Sequence, residues 1–199
     1  MSDEVIRTGG RRARTEHPRA SEIVRTLGGR SIVMVGLMGC GKTTIGRRLA
    51  HRLGLPFIDS DDEIEAAAGK TIPEIFEDHG EPYFRERECR IIARLLSSTP
   101  RVLSTGGGAF MSPDTRALIR ERGLSVWLKA ELPILQRRVE RRSNRPLAGR
   151  LAELMVERYP VYAQAEITIE SRDVPHEVIV DEVIAAILDR QHQATEAHP

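Results

Sequence analysis

The sequence predicts an α/β fold of three layers, a five-stranded parallel sheet flanked on both sides by helices, and three observations carry that expectation. From Ser31 onward, short apolar runs alternate with longer amphipathic segments, the mark of successive βα units. The first apolar run, Ser31-Ile32-Val33-Met34-Val35, leads straight into GLMGCGKTT, Gly36 to Thr44. This stretch fits G-x-x-x-x-G-K-[ST] through Gly36, Gly41, Lys42 and Thr43. No internal repeat of about 20 to 50 residues is visible, which argues against solenoids and propellers. Together these predict a P-loop NTPase fold, with a short arginine-rich lid.

Taken in order, residues 1 to 20 are polar and rich in arginine and breakers, and read as a disordered N-terminal tail. A nucleic-acid-binding arm is the alternative reading of that stretch. Ser21 to Leu27 reads as a short helix leading into the first strand. Strands are expected near 31 to 35, 56 to 58, 101 to 104, 124 to 128 and 166 to 169. Helices are expected near 42 to 53, 61 to 68, 72 to 78, 82 to 97, 113 to 122, 131 to 142, 151 to 163 and 176 to 190. A single domain over 21 to 190 results, with a frayed tail at 191 to 199. In such sheets ligands gather outside the carboxyl ends of the strands, so the residues just after each strand are the candidates for function.

The 199 residues suffice to bury one core. Lys plus Arg number 30 and Asp plus Glu 29, so the overall charge makes no case for nucleic acid or a membrane surface as partner. No apolar run reaches the ~18 residues of a membrane span, and the N-terminus lacks the apolar centre of a signal peptide, so a cytoplasmic protein is expected. Two cysteines, Cys40 and Cys89, make neither a disulfide framework nor a metal site. Cys40 beside a helix N-terminus is either an oxidisable thiol or a small residue at a permissive position.

The loop predicts Mg·NTP. Glycines at 36, 39 and 41 permit a nest of converging backbone amides, and the following helix aims its positive end at the anion. Lys42 supplies a mobile positive charge for the β- and γ-phosphates, and the Thr43 hydroxyl suits Mg²⁺. The second strand ends in Phe57-Ile58-Asp59-Ser60-Asp61-Asp62. If that stretch is extended, Asp59 and Asp61 share a face toward the loop, as phosphoryl transfer to an alcohol requires. The competing reading has Ser60 or Asp61 capping a helix that begins at Asp62. The third strand ends in Ser104-Thr105-Gly106-Gly107-Gly108, explicable where a ligand ring lies against the backbone, or as a flexible turn. Arg85 and Arg158 are either ion-paired helix arginines or anion clamps. Residues 137 to 150, RRVERRSNRPLAGR, are a solvated helix end or a mobile lid, and Pro146 with Gly149 favours the lid.

The ordered set GLMGCGKTTIGRRLA, FIDSDDEIE, EPYFRERE, STGGGAF, NRPL and ERYPVY closely resembles the shikimate kinase family over about residues 25 to 190. The resemblance implies a nucleoside-monophosphate-kinase-like protein that moves the γ-phosphoryl of ATP to the 3-hydroxyl of shikimate; a monomer is expected. It implies that Gly39, Cys40, Gly41, Lys42, Thr43 and Thr44 hold ATP phosphates, and that Thr43 and Asp59 organise Mg²⁺, the latter directly or through water. Asp61 is implied as the base and as a ligand of the substrate hydroxyls, and Arg85 and Arg158 as the grip on its carboxylate. Gly106, Gly107 and Gly108 are implied to line the ring. Arg145 is implied as the catalytic lid arginine and Arg138 as the arginine beside adenine. The substrate-binding region falls near 60 to 97 and the lid near 142 to 150.

One departure is a shortened lid, Arg145-Pro146-Leu147-Ala148-Gly149-Arg150, which runs almost at once into the next helix. Incomplete closure over ATP is the expected consequence. The rival readings are a gluconate-type kinase of the same fold and a non-catalytic ATP-binding regulator.

Overall fold

The computed structural model describes residues 16 to 140 and 148 to 196. Five strands form one all-parallel sheet in the order β2-β3-β1-β4-β5: β1 Ser31–Val35, β2 Phe57–Asp59, β3 Val102–Ser104, β4 Gly123–Lys129 and β5 Ile167–Glu170. The central strand β1 is buried at every position, as a parallel strand covered on both faces must be. Its Ile32 stands in register with Val102 of β3 and Leu124 of β4.

Helix α2, Lys42–Leu53, begins at Gly41, whose φ of 103° places it in the left-handed region that only glycine enters cheaply. It ends at Gly54, also left-handed. Between them Ile45, Leu49, Ala50 and Leu53 make a buried stripe at helical spacing. That stripe belongs to the main core with α1, Ala20–Thr26, and α8, His176–Glu196, which lie against α2 on one face of the sheet. Helices α4, Ile72–Leu96, and α5, Pro113–Arg122, pack together on the other. The chain leaving β1 therefore departs to one face and the chain leaving β3 to the other, and a crevice opens between their carboxyl ends.

Helix α3, Ser60–Ala68, is capped by Asp59, whose carboxylate accepts the amide of Asp61 at 3.2 Å. The expected cap, Ser60 or Asp61, is corrected: β2 stops one residue later than the pattern suggested, and its own last residue, Asp59, takes the role. The span α4 holds two helical segments, as expected at 72 to 78 and 82 to 97, separated by the non-helical Gly80, with φ 77° and ψ 173°, ahead of Pro82. A smaller apolar cluster of Ile64, Ile75 and Phe84 ties α3 to α4.

Residues 16 to 20, expected within the disordered tail, are placed against α2, with the His17 amide donating to the Arg52 carbonyl at 2.8 Å. The rest of that expected tail lies outside the described residues. Helix α8 continues to Glu196, past the expected end at 190. Helix α6, Leu132–Glu140, precedes the expected lid, of which only a 3₁₀ turn, Ala148–Arg150, is described before α7, Leu151–Tyr162. Among the described residues no helix is long and apolar enough to cross a membrane.

Leu49 is fully buried between α2 and the sheet. Leu49→Ala is expected to cost about 2–5 kcal/mol, read as a lower urea midpoint at unchanged m-value.

Candidate active site

The predicted residues assemble into two adjoining groups on the carboxyl edge of the sheet. The first surrounds the loop between β1 and α2. A cleft of ≈ 400 Å³ is lined by Gly39 to Thr44 on one side and by Arg138 and the segment after β5 on the other. Lys42 arches back over the loop, its Nζ donating to the carbonyls of Gly36 at 2.8 Å and Leu37 at 3.0 Å. Arg138 donates through Nη1 to Ser171 Oγ at 2.9 Å and through Nη2 to the Arg172 carbonyl at 2.7 Å. Ser171 Oγ in turn donates to the Cys40 carbonyl at 2.7 Å, so the far wall of the cleft is tied to the loop. Cys40 faces inward and is buried in the main core, as the small-residue reading requires, so only its backbone is available to a ligand.

Thr43 Oγ1 donates to Asp59 Oδ2 at 2.9 Å and lies 3.4 Å from Ser104 Oγ. Hydroxyl and carboxylate are thus paired at a helix N-terminus, two hard oxygen donors of the type Mg²⁺ accepts. Among the described residues no group of three or more His, Cys, Asp or Glu gathers to hold a metal. The pair fits an ion that keeps waters and takes its remaining ligands from phosphate.

The second group gathers around the glycine triplet after β3. Asp61 sits in the first turn of α3, so the expectation that it shares an extended face with Asp59 is corrected. A helical turn and the Asp59 cap bring the two carboxylates together instead. Burial pushes the Asp61 carboxyl up to about 6, with the Asp59 and Glu88 charges adding to the effect and Lys42 opposing it. Its Oδ1 is buried without a hydrogen-bond partner, as are Glu88 Oε1 and Arg158 Nε. Burial also raises the Glu88 carboxyl, against the pull of Arg85.

Arg85 donates from Nη1 to Glu88 Oε2 at 2.7 Å, and Arg158 from Nη1 to the Gly107 carbonyl at 3.2 Å. The Tyr162 hydroxyl donates to the same carbonyl. A β-carbon at Gly108 would overlap the Arg85 guanidinium, and one at Gly106 would sit 2.8 Å from Asp61 Oδ1 and 2.9 Å from Glu88 Oε1. The triplet is therefore a floor on which both arginines and both carboxylates converge, and its glycines are explained by that closeness rather than by a flexible turn.

Arg145 and residues 142 to 147 of the expected lid lie outside the described residues. Arg150 is exposed and donates to Glu153 at 2.9 Å. Several residues of the site escaped the reading of the sequence. Glu88 is a carboxylate on the buried stripe that carries Phe84 and Ile92, which is a detectable signal. Tyr162, Ser171 and Ser104 act through contacts distant in sequence and leave no such mark.

A phosphate-binding loop beside a buried, doubly basic and acidic pocket defines a P-loop kinase of small anionic metabolites. The matches with known proteins narrow this. Residues 38 to 188 match the family model for shikimate kinase. A Rhodopseudomonas palustris protein named shikimate kinase is 59% identical over 178 residues, 86% of this chain and 88% of that protein. A Bradyrhizobium diazoefficiens shikimate kinase is 57% identical over 84% of each chain. Among solved structures, a shikimate kinase from Acinetobacter baumannii in complex with shikimate superposes with a TM-score of 0.78 at 38% identity, covering 84% of this chain and 98% of that one. A gluconokinase from Sinorhizobium meliloti, 21% identical with a TM-score of 0.60, shares the fold. The chain belongs to the shikimate kinase family.

The raised Asp61 carboxyl has a consequence for stability. Below about 4 both folded and unfolded chains carry it protonated and it contributes nothing. Above about 6 the folded chain must hold a charge it disfavours, so folding is opposed there. Asp61→Asn is expected to stabilise the fold by about 1–3 kcal/mol at pH 8 and by little at pH 4, measured by chemical denaturation at both.

Proposed function

We propose that this chain transfers the γ-phosphoryl group of ATP to the 3-hydroxyl of shikimate, giving ADP and shikimate 3-phosphate. The observation that carries the proposal is the convergence of Asp61, Arg85 and Arg158 on the glycine triplet beside the phosphate loop. In this reading, residues 21 to 190 act as one catalytic domain, with substrate bound by the region from 60 to 97 and a lid near 142 to 150. The chain works as a cytoplasmic monomer on two small molecules, with neither nucleic acid nor membrane as partner.

The amides of Gly39, Cys40, Gly41, Lys42, Thr43 and Thr44 hold the phosphates at the positive end of α2, and the Lys42 ammonium swings from the loop carbonyls onto the β- and γ-oxygens. Arg138, clamped by Ser171 and the Arg172 carbonyl, offers its guanidinium plane to the adenine. Thr43 and Asp59 would hold Mg²⁺, Asp59 directly or through water. When bound, that ion neutralises charge on the transferring phosphoryl oxygens.

The two arginines take the substrate carboxylate. Arg158 Nε is a buried donor that makes no hydrogen bond, and Arg85 is steered toward the triplet by Glu88. The backbone of Gly106, Gly107 and Gly108 lies against the ring. With the ring so placed, Asp61 Oδ1 accepts the hydrogen bond of the 3-hydroxyl and takes its proton as the oxygen attacks. Arg145 reaches the phosphates from the lid. Most of the catalysis is alignment and charge stabilisation.

The test is a coupled ADP assay on the purified chain with Mg·ATP. ADP is expected to form with shikimate and at less than about a tenth of that rate without it. Equal rates in both, or a preference for gluconate, would sink the substrate assignment.

Because Asp61 must be ionised to accept the proton, kcat/KM for shikimate is expected to fall about tenfold per pH unit below about 6 and to level off above it. Asp61→Asn is expected to lower kcat by a factor of about 10² or more at every pH while shifting KM for ATP little.

A further inference from the structure

Arg85 is held from two sides by carboxylates in very different settings. Its Nη1 donates to Glu88, whose side chain is only 3% exposed. Its Nε and Nη2 both donate to Glu81 Oε1, at 3.2 and 2.9 Å, and the Glu81 side chain is 63% exposed. The Nε/Nη2 edge is one along which a guanidinium grips a carboxylate. The edge of Arg85 that Glu88 does not use is therefore occupied by a carboxylate of the chain itself.

We propose that Glu81 is a competitive gate on the substrate clamp: its carboxylate occupies the Nε/Nη2 edge of Arg85 and yields it to the carboxylate of shikimate. The proposal rests on the reading of Arg85 as part of that clamp. Glu81 is suited to leave because it is solvated, so breaking its ion pair strands no buried charge, whereas Glu88 has no such exit. It also has somewhere to go. Gly80 breaks α4 immediately before it, so Glu81 opens the helical segment that follows, and a carboxylate is favoured against the amides of a helix start.

The exchange is selective. A small anion that reaches only Arg85 merely replaces Glu81 and gains little, whereas an anion that also reaches Arg158 Nε, which is 3.9 Å from Glu157 and makes no hydrogen bond, gains a second buried donor. The gate lowers the affinity of every anion that uses Arg85 by the same factor, and the preference for the proper substrate comes from Arg158.

Equilibrium titration of shikimate by calorimetry tests this on the full chain, with wild type, Glu81→Gln, Arg85→Ala and the double variant. Glu81→Gln keeps the side chain's size and, at an exposed position, the fold. It is expected to tighten shikimate about two- to five-fold, the range that loss of one exposed ion pair supplies. The gain is expected to vanish in the Arg85→Ala background and for methyl shikimate, which carries no carboxylate charge. If Glu81→Gln binds shikimate no better than wild type while Arg85→Ala binds at least tenfold worse, the gate is wrong and the clamp stands. Wild-type affinity in Arg85→Ala would overturn the clamp reading and the gate with it.

Discussion

Two carboxylates, Asp61 and Glu88, and two guanidiniums, Arg85 and Arg158, are brought against one stretch of bare backbone, Gly106 to Gly108, and the working of the pocket depends on their balance. Burying any one alone would cost several kcal/mol. Together they neutralise one another only in part: Glu88 is paired with Arg85, yet one oxygen of each carboxylate and the Nε of Arg158 have no hydrogen-bond partner. Such a set is poorly satisfied by itself and well matched to a ligand with a carboxylate at one end and hydroxyls at the other. The glycines are part of the same balance, because a β-carbon at 106 or 108 would collide with the charged groups themselves.

That pocket is useful only because the sheet sets it beside a phosphate site. Parallel strands β1 and β3 are neighbours, and their chains leave to opposite faces, so the loop before α2 and the triplet after β3 border one crevice. Asp59 is the physical link between the two halves. It ends β2, caps α3, accepts the hydroxyl of Thr43, and by its charge helps raise the Asp61 carboxyl. One residue thereby ties Thr43, at the helix end of the phosphate loop, to the helix that carries the proposed base.

Much of this was legible in the chain. The limits of α2 follow from Gly41 and Gly54, and β1 is an unbroken apolar run, so both were placed at their observed ends. Elsewhere local signals competed. Three acidic groups within four residues, Asp59 to Asp62, leave the cap and the strand end ambiguous in the sequence; the Asp61 amide decides for Asp59, whose other carboxylate oxygen is held by Thr43, sixteen positions away. The break at Gly80 is legible as well, because a glycine followed closely by a proline interrupts helical periodicity, and Gly80 is non-helical between the two segments of α4.

What the sequence by itself determined is the set of chemical parts and their order: a loop that binds phosphate, acids and a glycine triplet after successive strands, and arginines on later helices. These are local patterns, written within a few residues of one another. What only the tertiary structure decided is which of those arginines and acids face one ligand. Glu88 became a partner of Arg85 inside the pocket rather than part of a solvated face, Cys40 turned into the core, and Tyr162 joined Arg158 on the Gly107 carbonyl. The physical reason is that burial and pairing depend on contacts across tens of residues, which the packing of helices on the sheet creates and no local pattern encodes.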